Sequence, residues 1–566
     1  MCGIAGIISA DNKEEQLNAM LESQHHRGPD FTGRWSDEGH AILGHNRLSI
    51  IDLKAQSNQP FICSEERYSI TFNGEIYNYV ELKEELKNHF SFHTDSDTEV
   101  LLNAYKHWGE ACLHKFRGMW AFAIWDSRDK QLFASRDRFG VKPFYYVRTG
   151  SLLAFASEIK AFWAAGIVKK EWNYKVLSRY MVQAHYGMPD ECMFDHIEQL
   201  PGGHSLSYSN GQLQVKRWYN FEEAVKAIRH TKSGAEIQAE LKTLLEETIR
   251  LRLRSDVPVG FNLSGGVDST LLFQLIRQQL SYDKTSAFTF YSNDERYDEL
   301  KWVNEIVGDS HFKWHPCLVE KQKIPAFAEK IQHHCDEPYS GIATLAYART
   351  FEEARKNKYI VLLDGSGIDE QFAGYDYYTK TTEVNVQGTT TSPVRVNCLK
   401  DDFIALAKKP GYLKPFDSEM LNMQYRDTMY TKLQRDMRFN DRISMAFSTE
   451  LREPFLDHRL FEYAFALPES LKIHNGQRKY IIRQIIKESL HSSITEAPKR
   501  PVQTPQREWL SGDLSEWVQA TVSTAVNRYD FLKKQEIETE LQKFFNGENE
   551  NSFYIWQWIS LGLINA

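Results

Sequence analysis

The sequence predicts a multidomain α/β and α+β protein: sheets packed on helices first, then a parallel sheet wrapped by helices with a mostly helical end. Three observations support this. Up to about Gly203 the chain is rich in short β-branched or aromatic runs bounded by Gly, Asn or Asp. From Ala235 onward strands and helices alternate, the rhythm of a parallel sheet with ligands at the carboxyl ends of its strands. The 566 residues are also too many for one hydrophobic core.

In the first unit, strands are expected over Tyr68 to Asn73, Trp120 to Trp125, Gln131 to Arg136, Phe144 to Tyr146 and Leu152 to Ser157. Tyr79 to His89 and Thr98 to Trp108 have helical spacing, the second with Asp97 as N-cap. A turn at Leu200-Pro201-Gly202-Gly203-His204 precedes a last strand pair, which sets the first domain at 2–210. Residues 211–234 read as a linker, polar and weakly structured around Ala224 to Gly234. The second domain, 235–566, opens with a helix over Ala235 to Arg254. An apolar strand (Val257 to Leu263), a glycine turn and a helix (Ser269 to Gln279) follow. Next come a strand (Thr285 to Tyr291), a helix (Leu300 to Val307) and a strand (Tyr359 to Leu363). Thr381 to Val396 lacks a helical period and reads as a long mobile loop.

The apolar share, 42%, and charged share, 25%, are those of a water-soluble globular protein. A net charge of −8, spread without blocks, argues against a nucleic-acid partner. No stretch reaches the roughly 20 apolar residues that span a bilayer. The apolar start, Met1 to Ile8, lacks the basic flank of a signal peptide. Seven scattered cysteines, never spaced CxxC, suit a reducing cytoplasm.

Cys2 follows the initiator Met. Removing Met1 would leave a cysteine whose own α-amine, of pKa about 7.7–8.0, can serve as its base. Alone, such a cysteine reads as a buried strand residue. It has company, however: His25-His26-Arg27-Gly28-Pro29-Asp30, His45-Asn46-Arg47-Leu48-Ser49-Ile50-Ile51-Asp52, Phe72-Asn73-Gly74-Glu75-Ile76-Tyr77-Asn78 and Ser96-Asp97-Thr98-Glu99. In this order the motifs resemble the N-terminal-nucleophile glutamine amidotransferases, whose domain is an αββα sandwich. The resemblance implies that Arg47, Leu48, Ser49, Ile50 and Ile51 bind glutamine, Arg47 holding its α-carboxylate by a bidentate fork. It assigns the α-ammonium to Asp97, further substrate contacts to Glu75, and an oxyanion hole to the Asn73 amide and the Gly74 N–H. Asn73-Gly74 is also a strong turn pair, on which such a hole can be built. His25 and His26 read as structural, and Ser135 to Pro143 as a segment near a domain interface.

In the second domain, Ser264-Gly265-Gly266-Val267-Asp268-Ser269 follows a strand and opens a helix, the SGGxDS pattern of the ATP pyrophosphatases. Its backbone N–H groups, the Ser264 and Ser269 hydroxyls and the helix N-terminus make a pyrophosphate nest. Asp268 is placed to hold Mg²⁺ there. No Walker-A pattern is present, so ATP should be cleaved to AMP and pyrophosphate. With Asp364-Gly365-Ser366-Gly367-Ile368-Asp369-Glu370, Asp441 to Ala446, Glu450 to Asp457 and Gly476 to Arg483, the chain resembles the glutamine-hydrolysing asparagine synthetase family. That family joins an amidotransferase domain to a Rossmann-like ATP-pyrophosphatase domain. The resemblance implies ATP contacts at Leu263, Phe290 and its neighbour Thr289, Gly365, Ser366, Gly367 and Lys479. It makes Asp369 a second Mg²⁺ ligand, aspartate the acceptor, an internal tunnel the route for ammonia, and leaves a homodimer open. Two departures stand out. Ser366 replaces the usual Glu or Gln beside the reacting carbonyl, so another group such as Glu370, pyrophosphate or water must take the proton. Pro498 to Pro505 differs from the usual glycine-containing version. The competing readings are the same chemistry on another carboxylate, such as a polysaccharide uronic acid, a β-lactam synthetase type of relative, or a glutamine- or ATP-binding sensor.

Overall fold

The computed structural model describes residues 2–280, 284–308, 312–379, 392–487, 503–548 and 550–564. In the first domain two six-stranded antiparallel sheets face each other. One runs Glu198–Gln199, Tyr145–Thr149, Leu152–Ala156, Gly3–Ile8, Ala41–Arg47, Phe31–Asp37. The other runs Gln212–Arg217, His204–Ser209, Gln131–Arg136, Gly118–Asp126, Tyr68–Ile76, Phe61–Ile62. Alternate side chains of these strands serve two cores. Ile4, Leu43 and Phe155 meet Ala121, Trp125 and Leu132 between the sheets. Ala5 and Ile7 pack outward on Leu17, Met20 and Leu21 of a helix, Glu14–Ser23. On the far side Ile70, Phe72 and Trp120 meet Leu82 and Val100 of the helices Tyr79–Leu86 and Asp97–Trp108. The result is the expected αββα sandwich.

The second domain is built on five parallel strands in the order Lys313–Leu318, Ser286–Tyr291, Val259–Asn262, Val361–Leu363, Glu450–Arg452. Helices Gly234–Arg252 and Val267–Gln279 cover one face through Leu241, Leu245 and Leu271. Ile324–Cys335 and Ile342–Lys356 cover the other. Val259–Asn262 has later strands on both sides, so a crevice opens where the strand order reverses.

Several local expectations need correction. Ser96, not Asp97, caps its helix: the Ser96 side chain accepts the Thr98 N–H, while the Asp97 carboxylate accepts that of Ile76. The segment 211–234 is more than a linker, because Gln212–Arg217 adds an edge strand and Phe221–Ala227 forms a helix capped by Asn220. Gly3–Ile8, read only as an apolar start, is a fully buried central strand. The strand Lys313–Leu318 at the other edge and the short strand Glu450–Arg452 were also not anticipated. Of the stretch read as a loop, 381–391 lies outside the described residues, as do 498–502 of the segment Pro498 to Pro505, and Val396–Cys398 is a short 3-10 turn.

The domains meet across buried charge. Arg27 donates through Nη1 to Glu158 Oε1 at 2.8 Å and to Asp441 Oδ2 at 2.9 Å, and through Nε to the Cys2 carbonyl at 3.0 Å. Glu158 also meets Lys160 at 2.5 Å and Arg442 at 3.2 Å, and Lys160 meets Asp336 at 3.2 Å. Burial opposes ionisation of Glu158, but His26, Lys160 and Arg442 outweigh it and hold its carboxyl well below its usual value. The segment Ser135 to Pro143 belongs to the same interface: Lys142 Nζ donates to the Leu451 carbonyl at 3.2 Å. Removing one partner of such a network leaves buried charge uncompensated, at a cost of about 3–5 kcal/mol. Arg27→Met should therefore lower the thermal midpoint sharply, and Arg27→Met/Asp441→Leu should lower it less than the two single changes added together. Stability from Glu158 should be fully present above the unfolded carboxyl pKa of about 4.3 and lost as pH falls through the lower folded value. A single variant as stable as the parent in thermal unfolding would contradict this.

Candidate active sites

The first site is a small cavity of about 30 Å³ at the ends of the facing sheets. It brings together Cys2, Arg47, Leu48, Ile50, Ile51, Gly74, Glu75 and Asp97. Cys2 directly precedes the central strand Gly3–Ile8, and its nitrogen donates to Asn73 Oδ1 at 2.9 Å. That bond turns the Asn73 Nδ2 group the other way, where it is buried with no partner among the described residues. Its neighbour has to be glycine: a Cβ at Gly74, where φ is 156°, would sit 2.1 Å from the Met119 carbonyl oxygen. Burial pushes the Cys2 thiol up, and its Sγ faces the Leu48 carbonyl at 3.9 Å.

Arg47 is held rigidly, giving Nη1 to the Lys54 carbonyl at 2.9 Å and to Asn58 Oδ1 at 2.7 Å, and Nη2 to the Asp52 carbonyl. These bonds shape the loop 48–52 around the cavity. Ser49 does not line the cavity; its N–H donates to Asp30. Opposite lie two buried carboxylates. Burial and the nearby Glu450 raise Asp97 to about 7, against the Ile76 N–H that it accepts. Burial, Glu450 and Asp97 raise Glu75 well above its usual range. Arg452 approaches Glu75 at 3.6 Å from the second domain and pairs with Glu450 at 2.6 Å. Buried carboxylates with such proton affinity suit a cationic ligand group.

The second site lies at the crevice of the parallel sheet. Leu263 is buried, and its carbonyl accepts from Thr289 Oγ1 at 2.6 Å; Phe290 is half-buried further along the same strand. The loop after Leu263 turns its N–H groups inward. Ser264 N–H donates to Ser269 Oγ at 3.1 Å, and Gly266 N–H to Ser264 Oγ at 3.2 Å. Gly265 N–H donates to Glu299 at 3.1 Å, so this turn already receives an anion. From the next strand come Gly365, Ser366, Gly367 and Asp369. Lys479 bridges the two loops, 2.7 Å from Asp268 and 2.6 Å from Asp369. Burial would discharge Lys479, but the two aspartates outweigh it and raise its pKa. Its φ of 54° is a strained position for a side-chain-bearing residue, which functional sites retain. A Cβ at Gly374 would fall 1.8 Å from Asp369 Oδ1 and 2.3 Å from Lys479 Cε, so glycine makes room for this cluster.

Ser366 is committed to Asp364, whose Oδ1 accepts both the Ser366 hydroxyl and, at 2.9 Å, its N–H. Tyr347 and Asn262 hold the other Asp364 oxygen. Glu370 is buried, accepts the Tyr375 hydroxyl at 2.7 Å, and is raised to about 8 by burial and Asp369. Sequence reasoning missed Glu299, Asp364, Tyr347, Glu450 and Arg452. Asp364, Glu450 and Arg452 lay inside motifs already noted, but no role was read for them; Glu299 and Tyr347 lie outside any motif and reach the site across 34 and 17 residues.

The description "Glutamine amidotransferase domain" matches residues 1–219, and "Asparagine synthase" matches residues 240–564. Asparagine synthetase [glutamine-hydrolyzing] 1 of Bacillus subtilis (strain 168) is 30% identical over 98% of this chain and 95% of its own. Number 3 from the same organism is 30% identical over 92% of this chain and 89% of its own. Amidase chry2 of Gibberella zeae is 26% identical over 96% and 95%. Both domains of one architecture are thus present in order, and the chain belongs to the asparagine synthetase family.

Proposed function

We propose that the first domain releases ammonia from glutamine and that the second uses it, with ATP, to amidate a carboxylic acid. The observation that carries this reading is the pairing of two complementary sites in one body. One gathers a buried cysteine, an unpaired amide donor and buried carboxylates; the other has an anion-receiving turn flanked by Asp268, Asp369 and Lys479. Once Met1 is removed, the Cys2 amine takes the thiol proton and the thiolate attacks the glutamine amide carbon. Asn73 Nδ2 and the Gly74 N–H receive the oxyanion. Asp97 and Glu75 receive the α-ammonium, and Arg47 the α-carboxylate. Collapse of the intermediate, with a proton handed on by the Cys2 ammonium, leaves a Cys2 thioester and frees ammonia; water then hydrolyses the thioester to glutamate, and the ammonia passes within the chain to the second domain. There the turn from Ser264 to Ser269 receives the phosphates, with adenine beside Leu263 and Phe290, and Lys479 offsets charge on the α-phosphate. Gly365 and Gly367 let the second loop approach.

Asp268 and Asp369 already hold one cation, the Lys479 ammonium, between hard oxygen donors. That donor set fits Mg²⁺, which binds through one or two carboxylates plus phosphate oxygens. When bound, the ion would neutralise phosphate charge as pyrophosphate leaves. The acceptor carboxylate attacks the α-phosphorus, giving an acyl adenylate and pyrophosphate; ammonia then displaces AMP. The names of the synthetase relatives support aspartate as acceptor and asparagine as product. Ser366 favours a second reading, a different acid, because it supplies no base of its own. Asp364, which grips Ser366, is the carboxylate in contact with that position, whereas Glu370 bonds to Tyr375. Seven free cysteines, all buried, support a cytoplasmic setting.

Cys2→Ala should abolish glutamine hydrolysis yet leave amide formation from free ammonium, and Asn73→Ala should cut glutaminase turnover about 10²- to 10³-fold. In the parent, kcat/KM for glutamine should fall as pH drops through about 7, where Asp97 takes up a proton. Wild-type hydrolysis by Cys2→Ala, or Met1 retained in the intact mass, would refute the nucleophile. Asp268→Ala and Asp369→Ala should each eliminate pyrophosphate release while glutamine hydrolysis persists. ADP and phosphate as stoichiometric products would rule out the adenylate.

A further inference from the structure

Glu453 directly follows the strand Glu450–Arg452, at the carboxyl end of the parallel sheet. Leu363 pairs with Arg452, and the Asp364 N–H donates to the Arg452 carbonyl at 3.0 Å. Glu453 is still extended, with φ −107° and ψ 89°. Neighbouring strands lie about 4.8 Å apart, and residues in register share a face of the sheet. Asp364 and Glu453 therefore stand side by side. Asp364 is half-buried at the crevice and holds Ser366; Tyr347, which donates to Asp364 at 2.5 Å, feels the charge of both carboxylates. Lys142 reaches the same place from the first domain. Its ammonium donates to the Leu451 carbonyl at 3.2 Å and attracts Glu453. Glu453 thus lies where the seam between the domains meets the crevice.

The other carboxylates around it are committed. Asp364 accepts Ser366 through one oxygen, and Tyr347 and Asn262 through the other. Asp441 accepts two bonds from Arg27. Asp137 accepts the N–H groups of Trp120, Phe139, Val141 and Lys142. Glu453 differs: it is only 5% exposed, and its Oε2 has no hydrogen-bond partner among the described residues. Burial, reinforced by Asp364, Asp441 and Asp137, outweighs the attraction of Lys142 and raises its carboxyl to about 8. A buried carboxyl with an open oxygen and a proton affinity near neutrality is suited to proton transfer.

We propose that Glu453 accepts the proton that ammonia sheds as it displaces AMP from the acyl adenylate, the part that Ser366 cannot play. The nitrogen lone pair forms the C–N bond, the C–O bond to AMP breaks with its electron pair on the phosphate, and one N–H proton passes to the Glu453 carboxylate. Water removes that proton before the next turnover. This rests on the amidation reading and deepens it by naming the base.

The two half-reactions of the full chain provide the test, because ATP–pyrophosphate exchange needs no ammonia and amide formation does. The acid is aspartate or glucuronic acid, whichever supports exchange in the parent. Glu453→Gln should keep exchange and glutamine hydrolysis near parental rates while amide formation falls about 10²- to 10⁴-fold. Glu453→Asp should recover part of the loss. The carboxyl is protonated below about 8 and can accept only above it. At a fixed concentration of unprotonated ammonia, parental amide formation should therefore rise with pH to about 8 and then level, a rise that Glu453→Gln should lose. Amide formation by Glu453→Gln at the parental rate would overturn the proposal. So would an equal loss of exchange, which marks damage to the fold. Absence of exchange in the parent with both acids would instead overturn the amidation reading, and the role of Glu453 with it.

Discussion

Arg27 joins Cys2, Glu158 and Asp441, and through them the two domains. Its guanidinium is fully buried, and its donors are shared between the Cys2 carbonyl, a first-domain carboxylate and a second-domain carboxylate. A buried cation of this kind tolerates little displacement, because each lost bond leaves a desolvated charge behind. The position of Cys2 therefore depends on the docking of the domain that binds ATP. The strand Glu450–Arg452 adds a second tie. Arg452 reaches Glu75 in the first cavity, while its carbonyl accepts the Asp364 N–H at the start of the second-domain loop. One short strand thus touches both sites.

The same electrostatic pattern recurs at each site. The first cavity keeps Asp97 and Glu75 buried at raised proton affinity; a substrate ammonium would discharge that cost. In the crevice, Lys479 sits between two aspartates, and the backbone of Gly265 already receives a carboxylate. Charges held out of water in this way favour ligands of opposite charge and exclude neutral ones. Glycine at 74 and 374 serves these arrangements by bringing backbone close to the reacting groups.

Much of this was legible in the sequence because it is local. The helix Leu300–Val307 and the strand Gln131–Arg136 fall where periodicity and turn residues place them. The loops around Cys2, Asn73, Ser264 and Asp369 carry their chemistry in consecutive residues. What was missed is non-local or lacks a period. Gly3–Ile8 is buried on both faces, so its side chains do not alternate in polarity. Glu450–Arg452 spans too few residues to show any pattern and is a strand only because it pairs with Val361–Leu363. The Ser96 cap lost to Asp97 because both residue types cap helices, and only the Ile76 N–H decides between them.

In the proposed reaction, ammonia released from glutamine at Cys2 reaches the second site without leaving the protein, across an interface lined with buried charge. The most direct measurement is turnover with amide-¹⁵N glutamine in excess ¹⁴N ammonium near neutral pH, followed by mass analysis of the product amide. The account predicts ¹⁵N in nearly all product, and a progressive fall in that share when Arg27→Met loosens the interface. Product amide carrying the isotope ratio of the medium would contradict it.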